Sequence, residues 1–284
     1  MLGKNKTVKK GSILAKNRSR QKQQRIRNIL LRIALPIGGI LVFLGAAVFL
    51  PYLRVANITT EGTSTVPDEL VRGIAEEMLK GTFGGMVPRS NILFVRPESI
   101  ANRLLETYPD IASAHVSYIL QIPPELHITI EERTHVGIFC AVENEEYNNE
   151  ACFYIDGNGV LFAEAPNLRG HVVTRFITKQ GRRFSLGDEA ISADDMHVLD
   201  AMVRIIEEKT LIRVEEVRID ASYEGERVFH TNEGWDIIFE AGEDSTRGLE
   251  NLFLVLEEHI TNHDNLSYID IRLPQKVFFK YNDK

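Results

Sequence analysis

Residues 109–133 read PDIASAHVSYILQIPPELHITIEER, and their alternation decides the fold. Ala114, Val116 and Tyr118 alternate with Ser113, His115 and Ser117; Leu126, Ile128 and Ile130 alternate with Glu125, His127 and Thr129. A period of two places successive side chains on opposite faces of a strand, so each run has one apolar face. Between them, Gln121-Ile122-Pro123-Pro124 can turn but cannot extend a ladder. Upstream the pattern becomes helical. Pro109 stops a helix that begins near Pro97 and carries Ile100, Leu104 and Leu105. Before it, residues 81–90 form a glycine-rich loop. An earlier helix opens at Thr65-Val66-Pro67-Asp68, with Leu70, Ile74 and Met78 at helical spacing and Val71 and Ala75 beside them. Residues 55–60 read as a first strand that ends at Gly62. The order strand, helix, helix, strand, strand predicts a small sheet with both helices on one face, an α+β arrangement.

Further upstream, residues 33–53 (IALPIGGILVFLGAAVFLPYL) carry no charge. About 20 apolar residues cross a bilayer core, so this stretch is long enough to span as one transmembrane helix. Its Leu, Ile, Val and Phe residues favour insertion by roughly 5 kcal/mol in sum. A cleaved signal peptide would have a shorter apolar core and a small-residue cleavage site, whereas this stretch runs into Phe49-Leu50-Pro51-Tyr52. Residues 1–32 hold eleven Lys/Arg and no acid; the rest of the chain has 22 Lys/Arg against 40 Asp/Glu, a balance of −18. Positive charge stays in the cytoplasm, which predicts a basic cytoplasmic tail at 1–32 and an extracytoplasmic body beyond residue 53. The tail lacks aromatic rings to stack on bases, so its charge is read as contact with the lipid bilayer and not with nucleic acid.

Downstream, residues 134–284 predict a second, mixed β-rich domain with two helices. Strands fall at 136–142, 151–155, 160–163, 172–178, 214–220, 227–231, 235–240, 267–273 and 276–281, and helices at 188–209 and 245–260. Asp156-Gly157-Asn158-Gly159 is a strong hairpin signal. In Tyr268-Ile269-Asp270-Ile271-Arg272, alternation puts Ile269, Ile271 and Leu273 on the core face and Tyr268, Asp270 and Arg272 on the other. Three residues follow Tyr281, which leaves the last strand little chain to cover its edge. An uncovered edge offers amide and carbonyl groups to another chain, and Lys276 and Lys280 discourage random pairing there.

A resemblance becomes specific at 54–133. Ile58 and Gly62, Asn91-Ile92-Leu93-Phe94, Pro109-Asp110-Ile111 with Ala114 and Val116, and Pro123 through Leu126, Ile128, Ile130, Glu132 and Arg133 resemble a POTRA domain. A basic tail, one anchor and an immediate POTRA domain followed by a β domain resemble the FtsQ/DivIB family of bacterial cell-division proteins. Thr60 and the long 81–90 connection depart from the family pattern. The resemblance implies a non-enzymatic scaffold in the bacterial inner membrane, enriched at the division septum. It would bind partners similar to FtsL and FtsB and act on an FtsW/FtsI-like peptidoglycan synthase pair. It also implies partner binding through the terminal region, with Tyr268, Asp270, Arg272, Lys276, Val277, Phe278, Phe279 and Lys280 as candidates and Arg247, at the start of the last helix, as a further one.

Enzyme signatures are not evident. There is no Gly-x-Ser-x-Gly and no His-Glu-x-x-His, and Ser19-Arg20-Gln21-Lys22 matches a nucleophile motif only in the tail. Asp194-Asp195 and Glu257-Glu258 read as solvated helix faces. His259 and His263 have metal-compatible spacing but fall at a helix end, where the dipole favours cations. No cofactor or metal is expected. With 136–142 paired to 151–155, Cys140 and Cys152 face each other, and an oxidising compartment then favours a disulfide; strand register decides it. The rival readings are a membrane-anchored envelope hydrolase and a POTRA-bearing transport or secretion accessory.

Overall fold

The computed structural model describes residues 28–282 apart from 31, 41, 44, 46–48, 143–150, 168–172, 180–181, 220–224, 241–244, 261 and 274. It is a mixed α+β protein with a small sheet, a large sheet and few helices. The basic tail lies outside the described residues, as do parts of 33–53. Within that stretch, residues 33–40, 42, 43 and 45 are helical, and Pro51–Leu53 form a 3-10 turn. No helix among the described residues is long and apolar enough to cross a membrane.

The small sheet is built from β1 (Asn57–Glu61), β4 (Ile111–Ile119) and β5 (Glu125–Glu132), in the order β1-β5-β4. Helices α1 (Asp68–Leu79) and α2 (Pro97–Thr107) lie between β1 and β4 in the chain. Alternation works as expected in β5, where Leu126, Ile128 and Ile130 are buried. The α1 stripe is rotated from the expected one: Val71 and Ala75 are fully buried, while Leu70 is 46% exposed. The expected loop at 81–90 contains a short hairpin, β2 (Thr82–Phe83) with β3 (Val87–Pro88), turning through Gly84 and Gly85 at positive φ. Contacts between β1 and β5 advance together, from Ala56 N to Pro124 O (3.0 Å) to Thr59 Oγ1 to Leu126 O (3.3 Å), so the two strands run parallel. Gly62 ends β1 with φ +86°, and a Cβ there would lie 2.0 Å from Ile130 O. Only glycine fits that approach. Among the described residues, the compact units of the chain are 60–71 with 101–115 and the residues from 129 onward, and 72–100 with 116–128 and the residues before 60.

Among the described residues the large sheet has nine strands: β6 (His135–Ala141), β7 (Ala151–Asp156), β8 (Leu161–Glu164), β9 (Arg175–Thr178), β10 (Val214–Arg218), β11 (Glu226–Thr231), β12 (Asp236–Glu240), β13 (Leu266–Leu273) and β14 (Lys276–Tyr281). Their order is β14-β13-β12-β11-β10-β9-β6-β7-β8. The β6/β9, β9/β10 and β12/β13 pairs are parallel, which requires the intervening chain to cross over. Helix α3 (Ala193–Thr210) lies between β9 and β10 and is capped by Ser192, whose Oγ accepts from Asp195 N at 3.2 Å. Helix α4 (Ser245–Glu258) lies between β12 and β13. Met196, Leu199, Met202 and Ile206 of α3 and Leu249 and Leu252 of α4 join Phe139, Phe176, Phe229, Ile237 and Ile269 in one core. Both helices therefore close the same face of the sheet.

Candidate interaction edge

Strand β14 ends the large sheet and, among the described strands, pairs only with β13. Half of an edge strand's backbone groups point away from its neighbour. In β14 only Val277 is partly buried, packed against the core; Phe278 is 52% exposed, Phe279 41% and Tyr281 40%. Register puts Phe279 opposite Ile269, on the helix-covered face, and its ring stands edge-on to Tyr281 at 5.9 Å. Phe278 lies opposite Asp270 and Lys280 opposite Tyr268, on the other face. Both faces of the edge thus present aromatic surface, and Lys276 and Lys280 are exposed beside it. Helix α4 adds an exposed Leu254, and Arg247 is exposed in its first turn.

The structure brings Tyr268, Asp270, Phe278 and Lys280 together across β13 and β14. Asp270 and Arg272 are held in an ion-pair cluster: Arg272 Nε and Nη2 donate to Asp270 at 2.9 and 2.5 Å, and Nη1 donates to Glu226 Oε2 at 2.6 Å. Burial pushes the Asp270 carboxyl up, but hydrogen bonds from the Arg272 side chain and backbone overcome this and hold it below its ordinary value. Leu273, expected on the core face, is 54% exposed, because the ladder register shifts between Asp270 and Leu273. Sequence reasoning missed Glu226, Tyr281 and Leu254. Tyr281 was legible from its place in the last strand; Glu226 lies 46 residues from Arg272 and had no local signal.

The helix-free face continues as a polar lattice. Arg218 reaches Glu216 at 3.0 Å and Asp236 at 3.5 Å, and Asp236 also bonds His230 Nδ1 at 2.7 Å. That hydrogen bond raises the His230 pKa against the opposing effect of burial. On the same face, the structure joins Cys140 and Cys152 in a disulfide between directly paired positions, with Cα atoms 4.3 Å apart. Residue Arg175, buried beside it, points a guanidinium nitrogen at Cys140 Sγ at 3.7 Å.

At the end of β5, two residues fix turns. Glu132 accepts from Ser64 N and Oγ at 2.7 Å and from Thr65 N and Val66 N at 2.9 Å, just ahead of α1. Arg133 Nε donates to Pro109 O at 3.0 Å, and its Nη1 pairs with Asp156. The other oxygen of Asp156 accepts from Asn158 N and Val160 N at 2.9 Å, which shapes the β7–β8 hairpin.

A cavity of about 390 Å³ is lined by His135, Thr174, Glu207, Arg213 and Glu215 among others. Glu207 uses Oε1 to accept from Val214 N at 3.1 Å, a cap-like structural bond. His263, expected near a helix end, bonds Glu233 at 2.7 Å, and His259 lies in the turn after α4. Among the described residues no group of three or more His, Cys, Asp or Glu is arranged to hold a metal ion. No family model matches this chain, and no curated protein matches it.

Proposed function

We propose that this chain is a non-enzymatic, single-pass scaffold of bacterial cell division, resembling the FtsQ/DivIB family. Residues 33–53 hold it in the cell membrane, 54–133 act as a POTRA domain, and 134–284 bind division partners similar to FtsL and FtsB outside the cytoplasm. Through them the protein assembles the septal peptidoglycan synthase. The observation that carries this reading is the edge: β14 ends its sheet with Phe278, Phe279 and Tyr281 exposed. A monomeric protein blunts such an edge, whereas a strand-adding partner would cover its backbone and both flanking rows of side chains. The order β1, α1, α2, β4, β5, interrupted only by the β2–β3 hairpin, supports the POTRA assignment.

The test is Val277→Pro in the full chain, captured from detergent-solubilised membranes together with FtsL- and FtsB-like proteins. Proline removes an amide donor and stiffens the strand. Partner capture should disappear while α1 and β5 stay folded by amide exchange. Capture equal to the parent overturns edge pairing. A fluorescent fusion should collect at midcell in dividing cells; an even envelope distribution refutes the division role.

A further inference from the structure

We infer that the segment between α1 and α2 forms a second, shallow membrane contact, in which its exposed apolar side chains enter the outer-leaflet headgroup region beside the end of the 33–53 stretch. The inference rests on reading 33–53 as a membrane span. Three observations carry it.

The first is position. Ile92 N donates to Leu53 O at 2.8 Å, Val55 N donates to Ser90 O at 2.9 Å, and Arg54 bridges Asn91. Residues 90–92 are therefore tied by backbone bonds to the last residue of the apolar stretch and to the two that follow it. Asn91 is fully buried, and its Oδ1 accepts from Leu93 N at 3.0 Å, which fixes the departure of the chain from that point.

The second is exposure. Phe83 is 47% exposed, Met86 71%, Leu93 65% and Phe94 41%. The Phe83 and Phe94 rings stand 6.2 Å apart, and the Arg89 guanidinium lies 5.3 Å over Phe83. Tyr52, at the end of the apolar stretch, is 65% exposed. Aromatic rings beside cations are the composition of a bilayer interface, where the ring sits among the headgroups and the charge meets phosphate.

The third is charge. Residues 78–97 contain Lys80, Arg89 and Arg96 and no Asp or Glu, and Arg54 adds a fourth cation at the tether. All four are exposed. The chain beyond residue 32 otherwise carries a strong acidic excess. A cationic, aromatic patch at the one place where an acidic body meets its anchor complements anionic lipid headgroups. A contact of this kind would restrict how the small body swings about the end of the 33–53 stretch.

The test uses the full chain in vesicles of phosphatidylcholine and phosphatidylglycerol with brominated acyl chains, which quench nearby indoles. The sequence has a single tryptophan, Trp235, and it is fully buried in the large-sheet core, so its emission is a steady background. Phe83→Trp and Phe94→Trp are made separately at exposed positions, with Phe43→Trp inside the apolar stretch as the reference. Quenching of the added emission in all three variants supports the contact, with bromine near the headgroup end acting more strongly on the two loop variants. Quenching of Phe43→Trp alone overturns the contact and leaves the anchor intact, as it would if a partner protein or water covered this loop. No quenching of Phe43→Trp refutes the anchor and the contact with it.

Discussion

Glu132→Gln isolates one electrostatic device in the small body. In the parent, burial alone would raise the Glu132 pKa, but hydrogen bonds from Ser64, Val66 and Thr65 lower it from 4.5 to about 2. At about 1.36 kcal/mol per pKa unit, the charged form is favoured over the neutral one by about 3 kcal/mol. The carboxylate is only partly buried. Solvent screening therefore reduces the usable share to about 1.5 kcal/mol. Glutamine keeps the shape and one acceptor but loses the charge. The Ser64, Thr65 and Val66 amides of Glu132→Gln should exchange about tenfold faster near neutral pH, the equivalent of about 1.4 kcal/mol.

The pH dependence gives the sharper test. A carboxyl with a depressed folded-state pKa contributes stability that is complete above its ordinary value and is lost as pH falls through the folded value. The difference between parent and variant should therefore be constant above about pH 4.5 and shrink between 4.5 and 2. Urea unfolding of the detergent-solubilised chain at pH 7, 4.5 and 3, followed by amide exchange in α1, measures it. A difference that does not change across that range, or one absent at pH 7, refutes the electrostatic origin and leaves only a shape role for the side chain.

Other perturbations probe other parts of the fold. Gly62→Ala should cost on the order of 3 kcal/mol, since its Cβ would sit 2.0 Å from Ile130 O, and thermal unfolding reads this directly. Replacing both Cys140 and Cys152 with serine should lower stability by about 3 kcal/mol in the loop-entropy account, measured by urea titration. Arg272→Ala strips the partner from the buried Glu226 and should cost about 2 kcal/mol, with Asp270 rising in pKa by NMR titration. His230 has a raised pKa because Asp236 hydrogen-bonds it, so its contribution is full below its ordinary value of 6.5 and falls away as pH rises through the folded value; His230→Gln should remove that slope from the stability profile.

Local periodicity made much of the fold legible. The faces of β5, of β13 up to Ile271, and of α3 follow from spacing within one element, because burial acts on each element's own repeat. The errors share a cause as well. Leu70 and Val71 are adjacent apolar residues on α1, and only the packing partner selects Val71 as the inward one. Leu273 departs from its strand's alternation because the register with β14 shifts after Asp270. Sheet order was not legible: β9 takes its place between β6 and β10, and no residue in β9 announces neighbours so distant in the chain. The Glu132 clamp spans 66 to 68 residues, and the Glu226–Arg272 pair 46, so no window of sequence could join them.

The distribution of satisfied groups favours the edge over either face for the proposed partner. One face of the large sheet is closed by α3 and α4, and opening it would expose the core around Phe229, Ile237 and Ile269. The opposite face carries Arg218, Glu216, Asp236 and His230 in one cluster and Arg272, Asp270 and Glu226 in another. A partner seated there would have to desolvate charges already paired with one another, which returns little. The outward backbone row of β14 differs from both. Its amides and carbonyls exchange water for equivalent bonds when a strand is added, and burial of Phe278, Phe279 and Tyr281 supplies the apolar gain. Substituting Phe278 and Phe279 with serine should accordingly weaken partner capture far more than it weakens folding, because both residues are already about half exposed. Equal losses in the two measurements would mean that these rings belong to the core of the free protein and not to an interface.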